Sequence, residues 1–376
     1  MAAAPRIPHL RLRRLVLVVV SLALAAGTGI AGFEIAGRFT EYRYLLAKTE
    51  FPDGYFRADA ELGADHAPNM PPAAFKIRGP QFDIFTNWVG CFDRDQTIEP
   101  NYILAVGDSA TWGFVPADKN WTRVLELLAG RQVLNCGVSG VGTRFALTKA
   151  RRVIEQIGFP PSLIIVLHID NDLNDDYLFP SYTVIDGQRV DRLKSLNLVT
   201  GTISQFSDAE LESSLHAYRH GGASLKERIK QNSLTAWLLY RLFATGVDRK
   251  AGGSLLSSRY AIDFWDLDFD AHPWVRGAIE DHLQAFREFR RMAAGYGTRL
   301  ILFEARAGET EPTPHRREFS NRLRTKLEWV HSITLERMGV ASATDIRHRF
   351  DDHWNENGNR LAAKVMHDYL RAAGLL

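Results

Sequence analysis

The run Ser162–Leu167, SLIIVL, is almost continuously apolar. A strand with one face in water alternates apolar and polar residues, whereas a strand covered on both faces does not. The segment before it, Thr143–Ile157, carries apolar residues at helical spacing. We therefore expect a strand inside a parallel sheet that has helices on both sides.

Strand and helix patterns alternate along much of the chain. Further strands are expected at Ile103–Val106, Gln132–Asn135, Arg299–Phe303 and Val340–Ser342. Further helices are expected near Trp121–Ala129, Ile279–Ala294, Arg317–Arg337 and Asn359–Ala373. This alternation predicts an α/β fold, a three-layer α/β/α sandwich around a five-stranded, mainly parallel sheet.

The pattern also divides the chain. Residues 38–97 are rich in Pro, Gly, Phe and Asp and are expected to form an extended arm. Residues 98–376 carry the alternating pattern and form the main domain. Within it, residues from about 177 to 275 are polar and show no strong strand signal, so we expect a largely helical insertion, with helix especially at Leu234–Phe243.

The amino-terminal region has the composition of a membrane segment. Four arginines in residues 1–14 precede an uncharged stretch from Leu15 to Phe33. As a helix that stretch is about 28 Å long, close to the hydrocarbon thickness of a bilayer. Basic residues stay in the cytoplasm, so a span at 15–37 predicts an inner-membrane, single-pass protein with its main domain in the periplasm.

A cleaved signal peptide is the alternative for this segment. Ala23-Leu24-Ala25 fits a small-x-small cleavage site, and cleavage would leave a secreted domain. Both alternatives place the main domain outside the cytoplasm.

Charge and cysteine content set two further limits. The chain has 46 basic and 44 acidic side chains, intermixed, which argues against a nucleic-acid partner. The two cysteines, Cys91 and Cys136, either form one disulfide or are two separate buried side chains.

Reactive residue types follow the predicted strands and precede the last helix. Ser109 follows the first strand in GDSATWG, Gly140 follows the second in NCGVSGVGT, and Asn171 follows the third in HIDND. His353 stands two residues after Asp351 in DDHWNENG. Carboxyl ends of parallel strands meet at one sheet edge. Acyl transfer requires this set: a nucleophile, a base, an acid that orients the base, and oxyanion donors.

These four ordered blocks, spread over about residues 98–376, resemble those of the SGNH (GDSL) hydrolase family. The resemblance implies that Ser109 is the nucleophile and His353 the general base. It implies three oxyanion donors, the N–H groups of Ser109 and Gly140 and the side chain of Asn171. Neither a cofactor nor a metal ion is expected.

The sequence departs from the family pattern at two places. Ile169 stands where the third block usually begins with glycine, and Phe350 occupies the usual position of the acid. The Asp-x-His-Trp form found here resembles membrane-anchored and polysaccharide-modifying relatives, in which Asp351 would be the acid. Asp352 is the alternative.

Two classes of function follow. The first is an extracytoplasmic serine esterase that removes an acetyl or short acyl group from a carbohydrate or small molecule. An O-acyltransferase with the same residues, acting on a cell-surface polysaccharide, is its close variant. The second class is a catalytically silent module on the same scaffold.

Overall fold

The computed structural model describes residues 9–47, 49–220, 232–239, 255–256, 262–305, 314–326 and 330–376. The chain divides into two compact units. The first consists of residues 1–48 and 221–252, and the second of residues 49–220 and 253–376.

The helices and strands are numbered in chain order. The helices are α1 (His9–Arg38), α2 (Ser109–Trp112), α3 (Trp121–Ala129), α4 (Thr143–Ile157), α5 (Asp172–Tyr177), α6 (Asp208–His220), α7 (Trp274–Gly295), α8 (Pro314–Lys326), α9 (Leu335–Met338) and α10 (Glu356–Ala372). The strands are β1 (Phe56–Asp59), β2 (Gly63–His66), β3 (Ala73–Phe75), β4 (Phe82–Ile84), β5 (Ile103–Gly107), β6 (Val133–Asn135), β7 (Leu163–His168), β8 (Tyr182–Ile185), β9 (Gln188–Asp191), β10 (Leu193–Asn197), β11 (Ile203–Gln205), β12 (Leu255–Leu256), β13 (Arg299–Ala305) and β14 (Val330–Ile333).

A five-stranded sheet forms the centre of the second unit. Its order is β14-β13-β7-β5-β6, and every neighbouring pair is parallel. The register pairs Gly107 with Leu167 and His168 with Glu304, so the carboxyl ends of the three middle strands are level. The predicted three-layer α/β/α fold is confirmed.

Side chains of the middle strand β7 alternate between two cores. Leu163, Ile165 and Leu167 pack with residues of α3 and α10, while Ile164 and Val166 pack with residues of α4 and α7. All five side chains are at most 2% exposed. Burial on both faces explains why this strand is continuously apolar in the sequence.

The carboxyl-terminal part of the fold differs from the prediction. The last strand is Val330–Ile333, not Val340–Ser342, and it pairs in parallel with β13. The helix expected over Arg317–Arg337 is divided into α8 and α9, on either side of this strand. Val330–Ile333 carries two polar residues in its middle, and one of them, Ser332, is buried and donates to Glu304 Oε2 at 3.1 Å.

The insertion and the arm contain more strands than the sequence suggested. Where helix was expected, β8 pairs with β9 and β10 pairs with β11 and β12, all antiparallel. Among the described residues of the insertion, α-helix lies at α6 and at residues 234–239. The part of the predicted helix Leu234–Phe243 beyond residue 239 lies outside the described residues. Within the arm, β1 pairs with β2 and β3 with β4.

An aromatic cluster joins the arm to α2. The cluster centres on Trp112 of α2, which is fully buried, and its Nε1 donates to the hydroxyl of Tyr55 at 3.0 Å. Phe75 and Phe92 pack on the same indole with ring centroids 5.0 Å away. A disulfide between Cys91 and Cys136 ties the end of the arm to the residue after β6.

The first unit is built on α1. The stretch Arg13–Arg38 is long and apolar enough to cross a membrane, a property that a signal sequence shares. Near its end, Glu34 accepts hydrogen bonds from Ser233 Oγ at 2.5 Å and from the N–H groups of Leu234 and Thr235. A side chain at Gly37 would collide with Leu234, so the end of α1 and the segment 232–239 are in close contact.

Removing the disulfide tests how much it stabilises the second unit. The two cysteines are 45 residues apart, and loop-closure entropy for such a span is about 4 kcal/mol. We expect Cys91→Ala with Cys136→Ala to lower the free energy of unfolding by about 2–4 kcal/mol, measured by urea denaturation of the detergent-solubilised chain. Wild type whose disulfide has been reduced should unfold at the same, lower urea concentration as the variant. Equal midpoints for the variant and oxidised wild type would contradict the prediction.

Candidate active site

The site begins at the glycine that ends β5. Gly107 has φ of +149°, and a Cβ there would overlap the carbonyl oxygen of Leu167 and Oγ1 of Thr111. Only glycine allows β5 to lie this close to β7 and then turn directly into α2. This turn places Asp108 and Ser109 at the carboxyl edge of the sheet.

Asp108 is buried, and both of its oxygens accept hydrogen bonds from the same turn. Oδ1 accepts from the N–H of Ala110 at 2.8 Å and caps α2, while Oδ2 accepts from Ser109 Oγ at 2.9 Å. Burial raises the pKa of Asp108 above its usual range, and the charge of Asp175 adds to the rise. Ser109 itself is 6% exposed.

Asp351 and His353 form a hydrogen-bonded pair. The imidazole Nδ1 contacts Asp351 Oδ1, which also accepts from the N–H of His353 at 3.1 Å. Because an ionised carboxylate only accepts, Nδ1 carries a proton and Nε2 of the neutral ring is left as an acceptor. The alternative acid, Asp352, is fully exposed, with its Oδ1 3.9 Å from Arg347 Nη1.

The pKa of Asp351 reflects this pairing. Burial alone would raise the pKa, but the hydrogen bonds and charge of His353 outweigh burial and lower the pKa to about 2. The carboxylate is therefore ionised throughout the physiological range.

Phe114 lies flat on the imidazole of His353, a contact that sequence reasoning did not predict. The two ring centroids are 3.7 Å apart and the planes 6° from parallel. Phe114 has φ of +50°, which is uncommon for a residue with a side chain. Its carbonyl accepts a hydrogen bond from His348 Nε2 at 3.1 Å, and its ring packs on Trp112.

Gly140 and Asn171 face the same region. Gly140 has φ of +73°, a conformation that favours glycine. In the described part of the chain, the N–H groups of Gly140 and Ser109 donate to no protein acceptor. Asn171 Nδ2 donates to Asp175 Oδ2 at 3.0 Å, so one of its two amide protons is held by the protein.

A cleft of about 500 Å³ brings four of the five predicted residues together. Asp351 lies behind His353. The lining consists of Ser109, Ala110, Gly113, Ser139, Gly140, Ile169, Asp170, Asn171, Asp263, Ala305, Arg347, Asp352, His353 and Trp354. Among the described residues, Ser109 Oγ makes its hydrogen bond to Asp108 and none to His353.

Buried carboxylates and histidines lie behind this edge of the sheet. Asp176 pairs with Nδ1 of His282 at 2.5 Å, and the other ring nitrogen of His282 is 3.1 Å from His168 Nε2. His168 is therefore a hydrogen-bonded core residue. Burial and the nearby charge of Asp108 raise the pKa of Asp172 well above its usual range.

The chain was compared with known proteins. No protein-family model matches it, and no curated protein matches its sequence.

Several solved structures are similar to part of the chain. They include a lipolytic protein of the G-D-S-L family from Desulfitobacterium hafniense DCB-2 (12% identity, TM-score 0.34, 73% of this chain and 99% of that chain). An acetyl xylan esterase from Butyrivibrio proteoclasticus is 13% identical (TM-score 0.37, 83% and 73%). A salicylyl-acyltransferase from a tetracycline biosynthetic pathway is 11% identical (TM-score 0.33, 75% and 58%). At this level of similarity the comparisons carry no argument about activity.

The Asp351–His353 pair predicts how stability depends on pH. The lowered pKa of Asp351 contributes stability above the unfolded pKa of 3.8, and this contribution is lost as the pH falls toward 2. We expect Asp351→Asn to lower the free energy of unfolding by roughly 1–2 kcal/mol at pH 7, with the difference disappearing at acid pH. Urea denaturation across this pH range measures it.

Asp352→Asn is the matched control, because Asp352 is a fully exposed neighbour. It should change stability by less than about 0.5 kcal/mol at any pH. A loss for Asp351→Asn that is independent of pH would contradict the ionised pair.

Proposed function

We propose that this protein is an extracytoplasmic serine esterase of the SGNH (GDSL) type that works through an acyl-enzyme. The observation that carries the proposal is the shared cleft, which is lined by Ser109, His353 and Gly140. Within the described ranges of the chain, the N–H groups of Ser109 and Gly140 have no protein acceptor. A hydroxyl, a base with a free ring nitrogen and oxyanion donors are the parts that acyl transfer requires.

In the proposed reaction, Ser109 Oγ attacks the ester carbonyl carbon while Nε2 of His353 takes its proton. Asp351 holds the Nδ1–H and stabilises the imidazolium that forms. The tetrahedral intermediate then expels the alcohol, which receives the proton from His353. Water, activated by His353 in the same way, hydrolyses the acyl-serine and regenerates the hydroxyl.

The resting hydrogen bond of Ser109 must change for this to occur. Its hydroxyl donates to Asp108 in the structure and must donate to His353 at the moment of attack. Catalytic hydrogen bonds often form fully only when substrate is bound. The developing oxyanion would accept from the N–H groups of Ser109 and Gly140 and from the second amide proton of Asn171.

The cleft supports a substrate with a short acyl group and a hydroxylated alcohol. Its apolar lining includes the small side chains of Ala110 and Ala305 and the larger one of Ile169. Polar side chains, including Ser139, Asp263 and Arg347, line the rest. Sugars offer many hydroxyl groups to such a surface, so we infer an acetylated or similarly acylated carbohydrate as the substrate class.

Esterase assays of three variants test the proposed mechanism. We expect the detergent-solubilised chain to hydrolyse p-nitrophenyl acetate, and Ser109→Ala and His353→Ala to lose at least about 10³-fold in kcat/KM. Asp351→Asn should lose about 10²-fold, less than either of these, because it disturbs the orientation of His353 rather than removing it.

Asp352→Asn is again the control and should keep wild-type activity. If it loses activity and Asp351→Asn does not, the acid is Asp352. If wild type and Ser109→Ala are equally slow with simple esters, hydrolysis of simple esters is excluded. Transfer of a labelled acetyl group to an added polysaccharide would then distinguish an acyltransferase from a silent module.

We also propose that α1 is retained as a membrane anchor with the catalytic unit on the periplasmic side. The helix continues past Ala25 to Arg38, and its last turns hold the segment 232–239. Arginines at the amino-terminal end favour a cytoplasmic tail.

Fractionation of expressing cells tests the anchor. We expect the chain to stay in the membrane pellet after carbonate washing, with residues before Ala25 still present by mass spectrometry of the intact protein. Ala25→Leu, which blocks cleavage at this site, should leave the mass otherwise unchanged. A shorter wild-type chain in the soluble periplasmic fraction, lengthened by Ala25→Leu, would establish a cleaved signal peptide instead.

A further inference from the structure

The peptide between Ser139 and Gly140 is held by an arginine from the insertion. Nη1 of Arg189, in β9, donates to the carbonyl oxygen of Ser139. That oxygen belongs to the same peptide unit as the N–H of Gly140. The peptide is planar, and in the trans form its C=O and N–H point in opposite directions. Fixing the carbonyl therefore fixes the direction of the N–H.

We propose that Arg189 is a positioning residue that aims the Gly140 N–H at the oxyanion. This inference rests on the proposed function, in which Gly140 is an oxyanion donor. If the peptide rotated by half a turn, the Ser139 carbonyl would replace the N–H at that position. A carbonyl oxygen there would repel the negative charge that develops in the transition state.

The guanidinium of Arg189 is itself fixed by three aromatic rings. Its Cζ lies 4.3 Å from the centroid of Phe56, 4.4 Å from that of Tyr182 and 5.4 Å from that of Phe51. Cation–π contacts of this kind are strongest where water is excluded. Because arginine keeps its charge at every relevant pH, the contact to Ser139 does not depend on titration.

The backbone that carries Arg189 is also fixed. Asp186 and Gly187 both have positive φ and join β8 to β9 as a two-residue turn, the tightest common hairpin loop. The N–H of Gly54 donates to the carbonyl of Gly187 at 2.9 Å, which ties the tip of the hairpin to the arm. The arm and the insertion together therefore determine where the guanidinium lies.

The positive charge adds a second effect. A cation on the carbonyl oxygen polarises the peptide and makes the N–H on its other side a stronger donor. This effect increases as negative charge develops on the oxyanion. Arg189 would thus stabilise the transition state more than the bound ester, through a peptide and without touching the substrate.

Kinetics of Arg189 variants test the inference in the full chain. We expect Arg189→Met to lower kcat for p-nitrophenyl acetate by roughly 10–100-fold with KM changed less than about twofold, somewhat less than the loss of a direct oxyanion donor. Arg189→Lys should recover part of kcat, since it restores a charged donor. The affinity for an alkyl boronic acid, which forms a tetrahedral adduct on serine, should fall by a similar factor.

Arg192→Met is the matched control. Arg192 lies just after β9, and its side chain forms an ion pair with Asp208 at 2.5 Å. Arg192→Met removes one positive charge, as Arg189→Met does, but it leaves the contact to Ser139 intact. Its kcat should therefore stay within about twofold of wild type. Thermal unfolding of each variant identifies any that fail to fold. If Arg189→Met does not fold, Arg189→Lys replaces it in the kinetic comparison with wild type.

A crystal structure of Arg189→Met separates this inference from the proposed function. Rotation of the Ser139–Gly140 peptide away from its wild-type orientation supports positioning, whatever the activity of the protein. The role of Arg189 is overturned if Arg189→Met leaves both the peptide orientation and kcat unchanged, provided that Ser109→Ala inactivates the wild-type protein. If wild type shows no activity that depends on Ser109, the proposed function fails, and an unrotated peptide then overturns the positioning as well.

Discussion

The close approach of β5 and β7 at Gly107 is the constraint on which the rest of the site depends. A Cβ at this position would overlap the Leu167 carbonyl, so the two strands can lie in register only because the residue is glycine. The register of β5 and β7 then determines that both strands end at the same height along the sheet. Ser109 follows two residues after Gly107, and Asn171 four residues after Leu167, so both reach the same cleft.

Segments outside the sheet hold the reactive groups in place. Trp112 and Phe114 belong to the aromatic cluster that the arm builds on α2, and Phe114 lies flat on His353. The hairpin β8–β9 supplies the guanidinium that holds the peptide before Gly140. The sheet therefore fixes where the chain turns, whereas the arm and the insertion fix how the side chains and peptides at those turns are oriented.

The sequence predicted the sheet, and the residues it singled out at the strand ends lie in one cleft, but it did not indicate the contacts that support them. Continuous apolar runs such as Ser162–Leu167 are typical of strands buried on both faces, and together with the alternating helix patterns they led to the correct fold. Val330–Ile333 was missed because two polar residues interrupt it. The hairpin at Asp186-Gly187 did carry a signal, since this dipeptide favours a tight turn between strands. The contacts of Phe114 and Arg189 join residues far apart in the chain, and no local pattern indicates such contacts.

In the resting site, Asp108 holds the hydroxyl of Ser109. Its carboxylate holds the Ser109 hydroxyl and the N–H of Ala110 together, so it stabilises the turn and directs the hydroxyl away from His353. A hydrogen bond to a charged acceptor contributes about 1.5–3 kcal/mol. Under the proposed mechanism that bond must be exchanged for one to His353, which Asp351 and Phe114 keep in a fixed orientation. Because Asp351 and Phe114 hold the acceptor ring, the exchange has to come from the Ser109 side, where the bond to Asp108 opposes it.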